Sequence, residues 1–383
     1  MRHQNSLLHE LMQFIPWGRF EQLVDEHQAD RRVRKLDSKS QLVALLHAQL
    51  SGAASLREIA ATMASHHARL YHLGVTAPKR STLADANAAR PAGLFADLFA
   101  VLLGQAHRGL RKASQEAIRL IDATSLPLSA LSQEWASYDA HGCGTKLHVV
   151  FDPAAATPVH FAVTAARLND ITAAKAMPIE PGATYVFDLG YYDFGWWAAL
   201  DAQGCRFVTR LKKNTPTRVL SERPVAAGGP VLADRVVRLP ARLKASRRNP
   251  CDRDLREIHI VLDTGKRLRL VSNDLDAPAD AIAALYKTRW QIELFFRWVK
   301  QTLNIRKFLG TNENAIRVQL AVALIAYLLL RLAHAGQRAV ASLLTFTRLV
   351  RAHLMHFRSI HDLAAERPPP KSCNPNQMDL ALC

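Results

Sequence analysis

The sequence predicts an α/β fold: a mixed β-sheet preceded by an all-helical block and interrupted by a β-rich insertion. Three observations predict it. Up to about Ala113 apolar residues recur with helical periodicity and β-branched runs are nearly absent. From Ala117 short strand-like runs follow one another, and a basic stretch rich in Pro, Gly and short Val/Leu runs separates them from a last long helical segment.

The helical block contains QLVALL at 41–46, SLREI at 55–59 and STLAD at 81–85. Ser55 and Glu58 have the spacing of a capping box, Ser81 is placed to cap the next helix, and Gly74 with Pro78 marks a break between short helices. Taken alone, the block suits a helix-turn-helix and a helical packing domain with a solvated basic face equally well. The strands then read AIRLID, TKLHVVFD, PVHFAVT, TYVFDLG and CRFVTRL. The first three leave no room for a helix between them, as in an antiparallel meander, whereas helix-length segments such as FGWWAALDA separate the later ones. A long helix is expected over about 279–302 and a buried apolar helix around 320–331; from Arg367, three consecutive prolines and weak patterning predict a loosely ordered tail. The expected units are a helical domain over 1–113, a core over 114–211 and 270–335, an insertion over 212–269, and a C-terminal helix with tail over 336–383.

The 383 residues carry 50 Lys/Arg against 33 Asp/Glu, a net charge of +17, with 49% hydrophobic residues. This composition excludes global disorder and a small stapled scaffold. Five scattered cysteines without a CxxC pair support neither a disulfide framework nor a zinc ribbon, which fits a reducing cytoplasm. The run LAVALIAYLLL falls short of the roughly 20 residues that cross a bilayer, and the N-terminal MRHQNSLLHELMQF lacks a cleavage site, so neither membrane nor export is expected. Positive charge in that compartment points first to nucleic acid. Residues 212–269 hold 15 Lys/Arg and 6 Asp/Glu, over half of the net charge. Lys212 and Lys213, Arg247 and Arg248, and Lys266, Arg267 and Arg269 are placed to line a DNA channel, with a solvated charged face as the alternative.

Three carboxylates stand out by position: Asp122 at the end of the first strand, Asp188 at the end of the fourth, and Glu293 within the last long helix. Strand ends converge at one rim of a sheet. Two aspartates on neighbouring strands with a glutamate above them can hold two Mg²⁺ ions roughly 3.5–4 Å apart, the arrangement that serves phosphoryl transfer. Each acid alone reads more simply as a solvated strand-end residue. Around Glu293, Tyr286, Arg289 and Lys300 complete the pattern YxxRxxxExxxxxxK. These four positions fall within roughly 60° of one helix face, beside an apolar stripe of Leu285, Ile292, Phe296, Val299 and Leu303. Arg and Lys beside such a Glu can grip phosphate oxygens; Arg289 and Glu293 alone make an ordinary i,i+4 pair.

The pattern in its context, ALYKTRWQIELFFRWVKQ, resembles the YREK signature of DDE transposases of the insertion-sequence-four type, complete at all four positions. IDATSLPLS around Asp122, GTKLHVVFD, and VFDLGYYDF around Asp188 are similar to that family's earlier motifs in the right order, so the resemblance spans about 117–332. The helical block is similar, less specifically, to its end-recognition domain. The resemblance implies a ribonuclease-H-like core with Asp122, Asp188 and Glu293 as a triad holding two Mg²⁺, for which Mn²⁺ substitutes. It further implies Tyr286, Arg289 and Lys300 on double-stranded transposon-end DNA, a homodimer at synapsis, and cut-and-paste transfer through a hairpin. One characterised branch stacks its flipped base on an aromatic residue of the insertion. Residues 212–269 contain no Trp, Tyr or Phe, leaving Trp290 or Trp298 to substitute, or the hairpin step to differ.

Other patterns are weaker. His141, Cys143 and His148 lack a fourth metal ligand, and GCGTK departs from the phosphate-loop pattern. A domesticated DNA-binding regulator and a nuclease of the same fold are the alternatives, and intact triad and YREK positions argue against the first.

Overall fold

The helical rhythm of the first hundred residues resolves into α1 (Leu7–Met12), α2 (Trp17–Glu26), α3 (Ser38–Ser51), α4 (Leu56–Ser65), α5 (His67–Leu70), α6 (Arg80–Ala89) and α7 (Ala92–Leu110). The structure is a computed structural model, and it describes the chain apart from residues 1–4, 111–115, 138–141, 227, 243–246, 263, 304 and 366–383. His141 and the tail from Arg367 lie outside the described residues. Local chemistry sets the helix ends. Asp37 accepts the Ser40 N–H at 2.7 Å to start α3, and Gly52, at φ +84°, ends it in a left-handed conformation that suits glycine. Ser55 caps α4 as expected: its Oγ accepts the Glu58 N–H at 3.2 Å, while Glu58 reaches back to the N–H of Ala54 at 2.8 Å. Ser81 does not cap α6; extended backbone ends at Lys79, which places Ser81 in the first turn.

The nine described strands form one sheet: β1 (Ile118–Pro127), β2 (Gly144–Asp152), β3 (Thr157–Ala165), β4 (Thr184–Val186), β5 (Arg206–Arg210), β6 (Arg218–Arg223), β7 (Val231–Arg238), β8 (Asp254–Val261) and β9 (Arg267–Ser272). Their order is β3-β2-β1-β4-β5-β9-β8-β7-β6. β1 to β3 form the expected antiparallel meander, and β4 and β5 run parallel to β1, which is the ribonuclease-H-like arrangement. α9 (Asp170–Ala176) leads from β3 into β4 and α10 (Phe194–Ala202) joins β4 to β5, while α8 (Gln133–Ala136) follows β1. The insertion does not stand apart from this sheet. β9 pairs antiparallel with β5, and β8, β7 and β6 follow, so the basic segment extends the same sheet by four strands.

The helix expected over 279–302 is two: α11 (Ala279–Thr288) and α12 (Trp290–Thr302), meeting at Arg289. Periodicity alone could not reveal this break, because the backbone at Arg289 remains right-handed helical. The apolar helix is also longer than its uninterrupted apolar run. As α13 (Glu313–Ala335) it has the length and composition of a membrane span, yet most of it is buried within the protein. A helix apolar on every side needs neighbours on every side, and α13 has α3, α6 and α7 from the N-terminal block, β3 of the sheet and α14 (Leu343–His353). One apolar core therefore runs from the N-terminal helices through α13 to the sheet face bearing Leu120, Val149 and Val186. A second core covers the opposite face, where Ile121, Phe187 and Phe207 meet Trp196 and Trp197 of α10. Arg351 of α14 ties the helical block to α12, donating to the carbonyls of Leu50 near the end of α3 and Thr302 at the end of α12. The last described helix is α15 (Ile360–Ala365).

Candidate active site

Residues far apart in the chain meet where β1, β4 and α12 converge. Asp122 lies in the middle of β1, opposite Val149, and not at a strand end: the strand continues to Pro127 because β2 pairs with it from Leu120 to that residue. Its side chain accepts the N–H of Ala123 at 2.8 Å. Asp188 sits two residues beyond β4 and caps a tight turn, accepting the Gly190 N–H at 2.8 Å. Glu293 is in the first turn of α12. The α11–α12 junction places Arg289 between two of these acids; it binds Glu293 and stands 3.6 Å from Asp122.

The electrostatics record this crowding. Burial pushes the Asp122 carboxyl up to about 7; its bond from Ala123 and the charge of Arg289 oppose the rise, and Asp188 and Glu293 add to it. A carboxylate held where ionisation is this unfavourable is what a cation would relieve, and Arg289 is the cation present. Among the described residues, no three His, Cys, Asp or Glu side chains are grouped closely enough to hold one metal ion. The donor set is nevertheless all hard oxygen, as Mg²⁺ prefers, so the three acids fit that ion in chemistry.

The other expected site residues fall in different settings. Tyr286 is buried, its ring 6.0 Å from the Arg289 guanidinium, and burial raises its hydroxyl pKa. Lys300 lies two turns along α12 from Glu293, where burial, then the charge of Arg306, lowers its pKa. Trp290 is 53% exposed beside Arg289, whereas Trp298 packs against Tyr327 with ring centroids 5.2 Å apart and has a buried indole nitrogen. Of the two tryptophans, Trp290 presents the open ring face. Lys212 and Lys213 are exposed, with Lys212 Nζ 4.5 Å from the ring centre of Tyr192. Arg247, Arg248, Lys266 and Arg267 are exposed as well. Arg269 does not join them: it pairs with Glu257 at 2.7 Å and donates to the carbonyls of Lys212, Lys213 and Thr215, so it shapes the loop that bears the two lysines. His148 Nε2 and Thr164 Oγ1 share a hydrogen bond of 2.9 Å inside the fold, as ordinary packing.

Three further residues stand at this rim: Lys146, Asp170 and Tyr191. Lys146 and Tyr191 fall inside stretches that carried the resemblance, GTKLHVVFD and VFDLGYYDF, but strand periodicity draws attention to neither. Asp170 opens a seven-residue helix too short for a pattern.

The chain matches the family model described as the transposase DDE domain over residues 113–329, and a domain of unknown function over residues 3–76. It is 43% identical over 315 residues to a protein described as a transposase in Sinorhizobium fredii, covering 79% of this chain and 86% of that one. It is 29% identical over 253 residues to a transposase described for an insertion sequence element of Geobacillus stearothermophilus, covering 63% of each chain. Among solved structures it is similar to the piggyBac transposase synaptic complex with hairpin DNA, at 11% identity and a TM-score of 0.47, covering 97% of this chain and 84% of that one.

Proposed function

Because the chain belongs to the transposase DDE-domain family, in its insertion-sequence-four branch, we propose that it binds the terminal inverted repeats of its element and moves that element by cut-and-paste transfer. The observation that carries this reading is the convergence of Asp122, Asp188 and Glu293 from a strand, the turn after a second strand and a distant helix, with Arg289 between two of them. Asp122, Asp188 and Glu293 would hold two Mg²⁺, or Mn²⁺ in their place. When bound, the ions supply Lewis-acid stabilisation of the attacking and leaving oxygens of a phosphodiester.

The chain's own side chains supply the positioning. Arg289 presents a planar donor fork suited to two phosphate oxygens, and it exchanges its carboxylate partners for phosphate when DNA arrives. Lys300 on the same helix, and Lys212 and Lys213 on the adjoining loop, neutralise neighbouring phosphates without reading sequence. Trp290, exposed next to Arg289, offers a stacking face for a base displaced from the terminal pair, as a hairpin intermediate requires. The two ends of an element must be cut together, so the working form is a homodimer on DNA, in the cytoplasm at the nucleoid.

The test is divalent-cation-dependent cleavage of a labelled duplex carrying the element's own end. Wild type is expected to cleave and join it to a target plasmid, and Glu293→Ala to bind it but cleave at least about 100-fold more slowly. Cleavage without joining would make the protein a nuclease. Specific binding without cleavage by wild type would make it a DNA-binding regulator.

A further inference from the structure

The aromatic layer behind Asp188 holds a hydroxyl with nothing to bond. Tyr191 closes the turn that Asp188 caps, and only 1% of its surface is exposed. Its ring packs against Phe187 and Trp196, each with centroids 6.1 Å away, and its backbone carbonyl accepts the indole N–H of Trp197 at 3.2 Å. Fixed in this way, the ring carries its hydroxyl into the field of Asp122, Asp170 and Asp188. That oxygen has no hydrogen-bond partner among the described residues. Burial first, and then these three carboxylates, hold its pKa well above the ordinary value, so it remains a neutral donor. A buried, unpaired hydroxyl is unfavourable, and phenylalanine would fill the same space without it.

Asp170 reaches the same place from α9. Lys146 Nζ lies 2.8 Å from Asp170 Oδ1 and also donates to the carbonyl of Leu168 at 2.9 Å, which anchors the carboxylate and balances its charge. Gly190 lets the acids approach. A Cβ there would lie 3.0 Å from Asp188 Oδ1 and 3.3 Å from Asp170 Oδ2, so the two carboxylates flank one residue that has no side chain.

We propose that Tyr191 and Asp170 are positioning residues of the carboxylate site: the Tyr191 hydroxyl is the donor held for the site's aspartates, Asp122 ahead of Asp188, in the cation-loaded protein, and Asp170, anchored by Lys146, buttresses the Asp188 turn. The inference rests on the metal-binding reading given under Proposed function. Its substance is that a side chain with no bond in the cation-free protein gains one when the site is engaged.

The experiment uses the full chain with Mn²⁺ as probe, measuring the dissociation constant from the paramagnetic signal of free Mn²⁺ and melting with and without the ion. Tyr191→Phe is expected to melt at or above the wild-type temperature without cation, because only an unpaired hydroxyl is lost. Its Mn²⁺ dissociation constant should rise about tenfold, the size common for outer partners of metal ligands. Asp170→Asn should weaken Mn²⁺ in the same direction. A Tyr191→Phe affinity within twofold of wild type overturns the proposal. So does a Tyr191→Phe protein that melts well below wild type without cation, since the hydroxyl would then be bonded within the fold. If wild type binds no Mn²⁺, or Asp188→Asn binds it equally well, the reading of the site itself fails and takes this inference with it.

Discussion

Replacing Asp122 with asparagine keeps the side chain's shape and removes its charge. The carboxyl has its pKa raised from 3.8 to about 7 in the folded protein, its side chain is 19% exposed, and burial is the leading cause. A raised carboxyl destabilises the fold once the unfolded chain ionises and the folded one resists. Its favourable state is fully present below about pH 4 and is lost as pH rises towards 7. At about 1.4 kcal/mol for each pH unit, the loss is about 2 kcal/mol at pH 5 and about 4 kcal/mol at pH 8. Asp122→Asn escapes this loss. In EDTA, the variant should therefore be more stable than wild type at pH 8 by up to about 4 kcal/mol and should converge on it towards pH 4. Urea unfolding followed by circular dichroism across that range measures the difference, and added Mg²⁺ should stabilise wild type alone. A variant less stable than wild type at pH 8, or a difference that does not change with pH, would refute the argument that Asp122 carries an electrostatic load for the site.

Three further outcomes follow from contacts described above. Arg351→Met leaves the carbonyls of Leu50 and Thr302 without their shared donor, and urea unfolding should show a loss of about 2–4 kcal/mol; a loss under 1 kcal/mol would mean the tie is incidental. Lys212→Glu with Lys213→Glu should flatten the slope of log K against log salt for duplex binding by about 2, as expected for two lost phosphate contacts, and an unchanged slope would make these lysines a solvated face. Gly190→Ala puts a methyl group 3.0 Å from Asp188 Oδ1, so end cleavage should fall at least about tenfold while end binding holds; full activity would show that the turn yields easily.

The spacing YxxRxxxExxxxxxK was legible because a helix converts linear separation into a shared face, and the order of strand runs was legible because each is a contiguous apolar segment. Less legible was everything set by pairing partners. Asp122 ends its apolar run, but β2 keeps the strand going for five more residues, which moves the acid from a strand end to a strand centre. The insertion reads as a separate unit because its charge differs, and only the β5–β9 register reveals that it belongs to the same sheet. Arg269 looks like another surface cation in KRLRL until Glu257, twelve residues earlier on the neighbouring strand in chain order, is seen to claim it at 2.7 Å. Tyr191 and Asp170 carry no periodic signal at all, because a tight turn and a short helix bring them together.

The β5–β9 pairing also fixes a length. Four strand spacings of about 4.8 Å separate β5 from the outer strand β6, about 19 Å of hydrogen-bonded backbone. At 3.4 Å per base pair this is the rise of between five and six pairs of duplex. Hydrogen bonds at every step leave no hinge between the carboxylates and the basic outer strands, in contrast to a lobe hung on a linker. Whatever the outer strands contact is therefore held at a constant distance from the acids, as against a fixed ruler.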